Sequence, residues 1–254
     1  MILGCLVTSL AAQKPPADRI DVPVQELIAR VDENLTLPDG LLSGRLTAVQ
    51  KTGSTAVWDF QLHTREGQRL FQFSSKQHGL ESRILFREEG EVIYLWDSLR
   101  NQLFRKRDFE KFQPIMQTGF SFIDLSGYSF QANYNGKEAV LYKTRDGKIH
   151  TRLTLVPIVS GEYSRLVLLT DQKDNYRPLR VDFHDRQGVL SKTMELVYGE
   201  VLLRRNNEKG RLPGPSQLEM LDLRTGMITR LDYYTLDDRN PPGEKLLDPD
   251  YLNR

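Results

Sequence analysis

The sequence is poor in the groups that carry most covalent and metal chemistry. Its 254 residues hold one cysteine, Cys5, and four histidines, His63, His78, His150 and His184. A lone cysteine excludes an intrachain disulfide framework and a multi-cysteine zinc site. The histidines form neither a His-x-His pair nor a His-Glu-x-x-His helix, so no metal is expected. A glycine-rich phosphate loop is missing. Gly119-Phe120-Ser121-Phe122-Ile123 lacks the second glycine of a nucleophile elbow. His184 and Asp185 are neighbours on a strand-like run and therefore point to opposite faces. The carboxylate pairs Glu88-Glu89 and Asp237-Asp238 sit in polar, turn-like stretches that would not raise a pKa. Neither a catalytic residue nor a cofactor is expected, and the chain is read as a non-enzyme.

An excess of either charge is lacking too. Lys and Arg total 35 and Asp and Glu 34, which leaves no cationic surface able to displace counterions from nucleic acid. Arg105-Lys106-Arg107 and Arg204-Arg205 are basic clusters without interleaved aromatics. They read as solvated loops or blunted sheet edges, with anionic lipid headgroups or an acidic partner as the alternative. After Lys14 no apolar run approaches the roughly 20 residues of a membrane-spanning helix. Met1 to Gln13 is uncharged and mostly apolar but also too short. It is similar to the apolar region and cleavage site of a secretory signal peptide, with Ser9-Leu10-Ala11 supplying small residues at the cut. Ile2-Leu3-Gly4-Cys5 also resembles a bacterial lipobox, so the alternative to a cleaved signal is a membrane-anchored lipoprotein attached through Cys5. Residues 14–254 are then read as one domain.

What is present is periodicity. Val24, Leu27, Ile28, Val31 and Leu35 form one apolar helical stripe. Asp21 is placed to cap it, Pro23 falls in its first turn, and Pro38-Asp39-Gly40 ends it, giving a helix over about 22–36. From Ser43 the period changes to two. Trp58, Phe60 and Leu62 alternate with Asp59, Gln61 and His63; Phe71 and Phe73 flank Gln72; Ile84 and Phe86 follow. Val92 to Trp96 is continuously apolar and reads as buried on both faces. Leu153 and Leu155 alternate with polar residues, as do Leu179, Val181 and Phe183, and Met227 to Tyr233 closes the series. Glu66-Gly67, His78-Gly79, Glu89-Gly90, Asn135-Gly136, Asp146-Gly147, Ser160-Gly161, Gln187-Gly188 and Thr225-Gly226 mark turns between strands of an antiparallel meander. Asp108 to Gln117 has helical spacing, but Pro114 limits it to a short or kinked piece. Asp237 to Arg254 is polar and reads as an extended tail.

The fold expected is mainly β: one curled antiparallel sheet of about eleven strands, with a few helices covering its concave face. Open sheets of that size curl, split or close. Curling gathers large apolar side chains on a concave face, which then serves as a ligand cavity. Its expected lining is Trp58, Phe60 and Leu62, then Phe71 and Phe73, then Ile84, Phe86 and Trp96, and across the sheet Leu153, Leu155, Val181 and Phe183. Leu27, Ile28 and Val31 of the helix, with Phe120 and Phe122, form the expected lid.

One set of motifs runs through the middle of the chain. Tyr94-Leu95-Trp96 is followed by Arg105 to Arg107 and by Gly119-Phe120-Ser121-Phe122-x-Asp124-Leu125. Tyr176-Arg177-Pro178, Asp185-Arg186-Gln187-Gly188 and Lys192 come next. In that order, over roughly Leu80 to Tyr198, the chain resembles the bacterial outer-membrane lipoprotein-sorting proteins of the LolA-like family. The resemblance implies a half-barrel with helices across its open side. It also implies a periplasmic carrier that takes lipoprotein acyl chains or lipid toward the outer membrane. Its partners would be an inner-membrane transporter and an outer-membrane acceptor. A sensor or adaptor of the same fold, binding a membrane-protein partner, is the alternative.

Overall fold

The computed structural model describes residues 20, 22–75, 79–127, 129–144, 147–239 and 241–253. The leader, Cys5, the Asp21 cap, and His78 and Asp146 of two turn signals lie outside them. Helix α1 (Val24–Leu35) begins directly after Pro23, whose carbonyl accepts the first helical bond from Leu27 N–H at 3.1 Å. Its stripe does what the spacing requires, burying Leu27, Ile28 and Val31.

The first meander is β1 (Gly40–Val49), β2 (Thr55–Arg65), β3 (Gln68–Ser75), β4 (Leu80–Arg87), β5 (Val92–Asp97) and β6 (Gln102–Lys106). The chain then leaves the sheet and crosses to its far side through two single-turn helices, α2 (Phe122–Leu125) and α3 (Phe130–Asn133). The second meander is β7 (Tyr134–Lys143), β8 (Ile149–Pro157), β9 (Tyr163–Asp171), β10 (Arg177–Asp185) and β11 (Leu190–Val197). A short hairpin, β12 (Glu200–Leu203) and β13 (Glu208–Arg211), precedes β14 (Gln217–Asp222) and β15 (Met227–Asp237). Pairing of β1 with β15 joins the two meanders into one sheet, in the order β6-β5-β4-β3-β2-β1-β15-β14-β11-β10-β9-β8-β7. All these pairs are antiparallel. Only the offshoot β12 lies parallel to β15. The sheet is curled and not closed, leaving β6 and β7 as its edges.

The expectation of a curled, mainly β fold holds, but the sheet has fifteen strands rather than about eleven. The surplus is short or weakly alternating, as in Gln102–Lys106 and Glu208–Arg211, where few side chains are buried. Asn135-Gly136 is not a turn but the start of β7, where the register shifts after Gly136. The glycine serves close approach: a Cβ there would lie 2.2 Å from Val24 Cγ1 of α1. Asp108–Phe112 forms a 3-10 turn, and Pro114 instead makes a bridge to Ser121. The polar tail is not simply extended. It makes 3-10 turns at Glu244–Leu247 and Pro249–Tyr251.

Those turns build a second core. On the concave side one large cluster runs from the α1 stripe through the phenylalanines of β2–β4 to Leu153, Val181 and Phe183. On the convex side Leu70, Leu85 and Trp96 pack with Leu247 and Leu252. Successive strand residues face opposite sides, so Phe71 and Phe86 belong to the first cluster and their neighbours Leu70 and Leu85 to the second.

Candidate functional site: a plugged concavity with a groove at each rim

The concave face has an aromatic half and an aliphatic half. In the aromatic half Phe60 lies 5.6 Å from Phe71 and 5.9 Å from Phe73, and Phe71 stacks on Phe73 at 5.3 Å. Phe86 meets the edge of Phe71, and Tyr233 of β15 meets Phe60 at 5.6 Å. Centroid separations of 4.5–7 Å in tilted or edge-on geometry are the favourable arrangements for such rings. The aliphatic half comprises Leu153, Leu155, Leu166, Leu168 and Val181, with Phe183 against Tyr163 at 5.0 Å.

Between the halves lies the crossing segment. Gly119 donates its N–H to Thr229 Oγ1 at 2.8 Å. This brings the backbone down onto β15, where a Cβ would press on Thr229 and on Met220. Phe120, Phe122 and Leu125 then enter the concavity and are buried. Asp124 fixes them: one oxygen accepts the Ser121 N–H at 2.7 Å, and Lys192 of β11 lies 3.6 Å away, both side chains almost wholly out of solvent. A buried carboxylate–ammonium pair costs desolvation on both partners and tolerates loss of neither. It therefore holds the segment at one place on the sheet. Nearby, burial pushes the Glu162 carboxyl up, opposed by the charge of Lys192.

Helix α1 closes the aliphatic half. Its Asp32 carboxylate accepts from Ser129 Oγ at 2.6 Å and from the Phe130 and Gln131 N–H groups, each at 2.9 Å. Charge-assisted bonds to backbone N–H at a helix start are among the stronger ones. Asn34 adds a bond to the Asn175 carbonyl at 3.0 Å. All five expected lid residues, Leu27, Ile28, Val31, Phe120 and Phe122, are buried in the concave cluster. Of the expected lining, Trp96 does not join it. It lies on the convex side under the tail, with the Arg83 guanidinium 4.7 Å from its ring. The other eleven share the concave cluster: Trp58, Phe60, Leu62, Phe71, Phe73, Ile84, Phe86, Leu153, Leu155, Val181 and Phe183.

Plugging leaves space at both ends. At the rim where β1 turns into β2 and β5 into β6, a groove of about 660 Å³ is lined by Ala48, Ala56, Trp58, Ile84, Leu95, Met116 and Phe122, together with polar residues that include Glu81, Asp97, Lys106 and Gln113. At the opposite rim a smaller one of about 320 Å³ is lined by Leu35, Leu37, Phe130, Met194, Leu218 and Tyr233, with Arg69 and Asp124. Burial holds Arg69 below its ordinary pKa, and it pushes the Tyr233 hydroxyl up to about 12. Sequence reasoning placed Tyr233 on the last strand without counting it in the lining, and passed over Arg69. Arg69 follows a turn signal at the start of a strand, and only the three-dimensional fold brings its side chain against Gly127. A hollow of about 520 Å³ on the convex face is polar and lined by the ion-paired Arg45 and Asp59, 2.8 Å apart. Among the described residues no three His, Cys, Asp or Glu side chains group as metal ligands. No helix among them is long and apolar enough to cross a membrane.

An open antiparallel half-barrel whose concave face is crossed by a helix and a plugging segment is a LolA-like architecture, and solved structures agree. A DUF1329 family protein from Desulfovibrio piger superposes with a TM-score of 0.73 at 16% identity, over 90% of this chain and 97% of its own. A protein named as an outer membrane lipoprotein-sorting protein domain, from Vibrio parahaemolyticus, gives 0.72 at 21%, over 91% and 98%. A LolA superfamily protein from Nitrosomonas europaea gives 0.70 at 19%, over 91% and 100%. The fold is LolA-like. A family model described as an uncharacterized protein matches residues 66–254, and the chain belongs to that family. No curated protein matches it in sequence.

Proposed function

We propose that this protein is a carrier that binds acyl chains of a lipoprotein or lipid in its concavity, without catalysis. Its compartment would be the periplasm, reached by the apolar leader, and the carrier would act between an inner-membrane transporter and an outer-membrane acceptor. The observation that carries this reading is the 660 Å³ groove, which is floored by Trp58, Ile84 and Leu95 and flanked by the small side chains of Ala48 and Ala56. An apolar concavity of a few hundred Å³ is the usual form of a small-ligand site. A saturated chain has only apolar surface to offer, and the floor of this groove matches it. The phenylalanines Phe71, Phe73 and Phe86 lie beyond it, under the Phe120–Phe122 segment.

The test is a titration with a fluorescent fatty acid. Ala56→Phe fills the groove from a half-buried position, and the expected result is at least a tenfold loss of affinity with thermal stability retained. Unchanged affinity would refute this site. One observation favours the sensor or adaptor reading: the half of the concavity under α1 is filled by the protein's own Leu27, Ile28 and Val31. A protein that takes up no acyl chain yet forms a stable complex with a membrane protein would establish it.

A further inference from the structure

We propose that the rim on which the large groove opens is a docking surface for an anionic phospholipid bilayer. This goes beyond the carrier reading, and either can fail without the other. Five described turns meet at this rim, those between β1 and β2, β5 and β6, β8 and β9, β10 and β11, and β14 and β15. Turns in water are normally built from glycine and small polar residues. Four of these instead hold out aliphatic side chains: Leu99 is 75% exposed, Val159 79%, Val189 61% and Leu223 46%. Single exposed apolar residues mean little, whereas a gathered set marks an interaction surface.

Three of these turns share one construction. Asp97 accepts the Leu99 N–H at 2.9 Å, Asp185 those of Gln187 and Val189, and Asp222 those of Arg224 and Thr225. In each case the carboxylate is drawn inward to satisfy the turn's own backbone, and a cation remains outside. Arg100 Nε and an Arg224 guanidinium nitrogen each lie 3.9 Å from the carboxylate of their own turn, at the outer limit of an ion pair. The arginine side chains are 70% and 72% exposed, against 29% and 9% for Asp97 and Asp222. Arg186 and Lys51 add two more cations at the rim. Four of the tips are continuous: Arg186 Nε donates to the Gly161 carbonyl at 2.9 Å, Leu223 N–H to the Ser191 carbonyl at 2.9 Å, and Lys51 lies against Gly226. Leu99 lines the groove together with Gln50 and Ser54 of the β1–β2 turn. Glu162, the acid of the β8–β9 turn, is only half-exposed.

Aliphatic residues beside outward cations match the acyl boundary and the anionic headgroups of a bilayer surface. Protein contacts instead concentrate several aromatic and arginine anchors in packed pockets. Here a single aromatic, Phe109, is 70% exposed with the Arg186 guanidinium 5.3 Å from its ring. It stands beside aliphatic tips, a mixture that suits an interfacial apolar face. At the opposite rim the turns at residues 66–67, 172–176 and 204–207 are polar and carry no exposed large apolar side chain. The exposed apolar residues near that rim, Tyr142, Ile149 and Val197 at 41%, 43% and 48%, lie on strands rather than at turn tips.

The experiment is sedimentation of the full chain with vesicles of phosphatidylglycerol and phosphatidylethanolamine, and separately of phosphatidylcholine. Binding to the anionic vesicles is expected and binding to phosphatidylcholine is not. Leu99→Asp, Val159→Asp and Leu223→Asp together are expected to weaken it at least about tenfold, because each replaces apolar contact by a repelled carboxylate. Arg100→Gln with Arg224→Gln is expected to weaken it by about fivefold per cation and to reduce its salt dependence. Ile149→Asp on the other rim is the folding-matched control and is expected to bind as the parent does. Absence of anionic vesicle binding, equal binding to phosphatidylcholine, or retention by the triple variant would each overturn the proposal. So would an equal loss in Ile149→Asp. Fatty-acid uptake, measured in parallel, is expected to survive the rim substitutions.

Discussion

The concave and convex faces of β3 and β4 are made of adjacent residues, yet they are closed in different ways. Phe71, Phe73, Ile84 and Phe86 are covered by the crossing segment, which is tied at both ends to edge strands and in its middle to Lys192. Leu70, Leu85 and Trp96 are covered by the end of the chain, which is tied through β15, through Arg65 to the Pro242 carbonyl at 3.3 Å and to Glu244 at 3.5 Å, and through Arg83, which donates to the Leu252 carbonyl at 2.8 Å. A cover tied at both ends opens only with the sheet. A terminal cover can undock alone, because local opening spans free energies from near zero to the global value. The concave closure therefore belongs to the fold's cooperative unit, and the convex closure is a separable strap.

The largest effects are expected on the concave side. Phe71→Ala removes a fully buried ring from the aromatic stack and should cost about 3–5 kcal/mol, read as a shift of the urea midpoint. Asp124→Asn leaves Lys192 buried without its counter-charge. A loss of about 3–5 kcal/mol is expected, and Asp124→Leu with Lys192→Met should restore much of it. A single-variant cost below about 1 kcal/mol would show that water reaches the pair and that the segment is not pinned there.

The strap should respond more weakly and more locally. Leu252→Ala is expected to cost about 2 kcal/mol and to speed amide exchange over residues 244–252 while leaving β3 and β4 protected. Uniform loss of protection across both would merge the two closures into one. The smallest effect is a pH dependence. Burial raises the Tyr233 hydroxyl from the ordinary value of about 10 to about 12. Below pH 10 both folded and unfolded chains keep the proton. Between the two values the unfolded chain loses it first, so stability falls as pH rises through that window. Tyr233→Phe should flatten the alkaline limb, measured as Tm against pH, and His63 should leave it unchanged.

How much of this was legible in sequence can be argued residue by residue. The α1 stripe and the alternation in Trp58-Asp59-Phe60 or Val181-Asp182-Phe183 are local, and each one has its expected burial. Phe120 and Phe122 were legible as lid residues, but the anchor of their segment was not. Lys192 reads as an ordinary lysine on a strand until the fold sets it beside Asp124. Trp96 was misplaced because Val92 to Trp96 is apolar at every position, and such a run does not declare which face any residue takes. The tail was underrated for a related reason. Leu247 and Leu252 are isolated in a polar stretch, and their partners Leu70 and Leu85 are far away in sequence. The rim turns show how a local signal can carry two meanings. Gln187-Gly188 and Thr225-Gly226 mark turns correctly, but the flanking Val189, Leu223 and Arg224 become a surface only when the strands align.

The measurement that tests the account most directly is native mass spectrometry, with lipid extraction, of the protein purified from its own cells. A bound fatty acid, phospholipid or acylated peptide, lost when Ala56→Phe fills the groove, is the expected result. Protein that emerges empty, and stays empty when fatty acid is added, would contradict the carrier reading and show the concavity sealed by its own side chains.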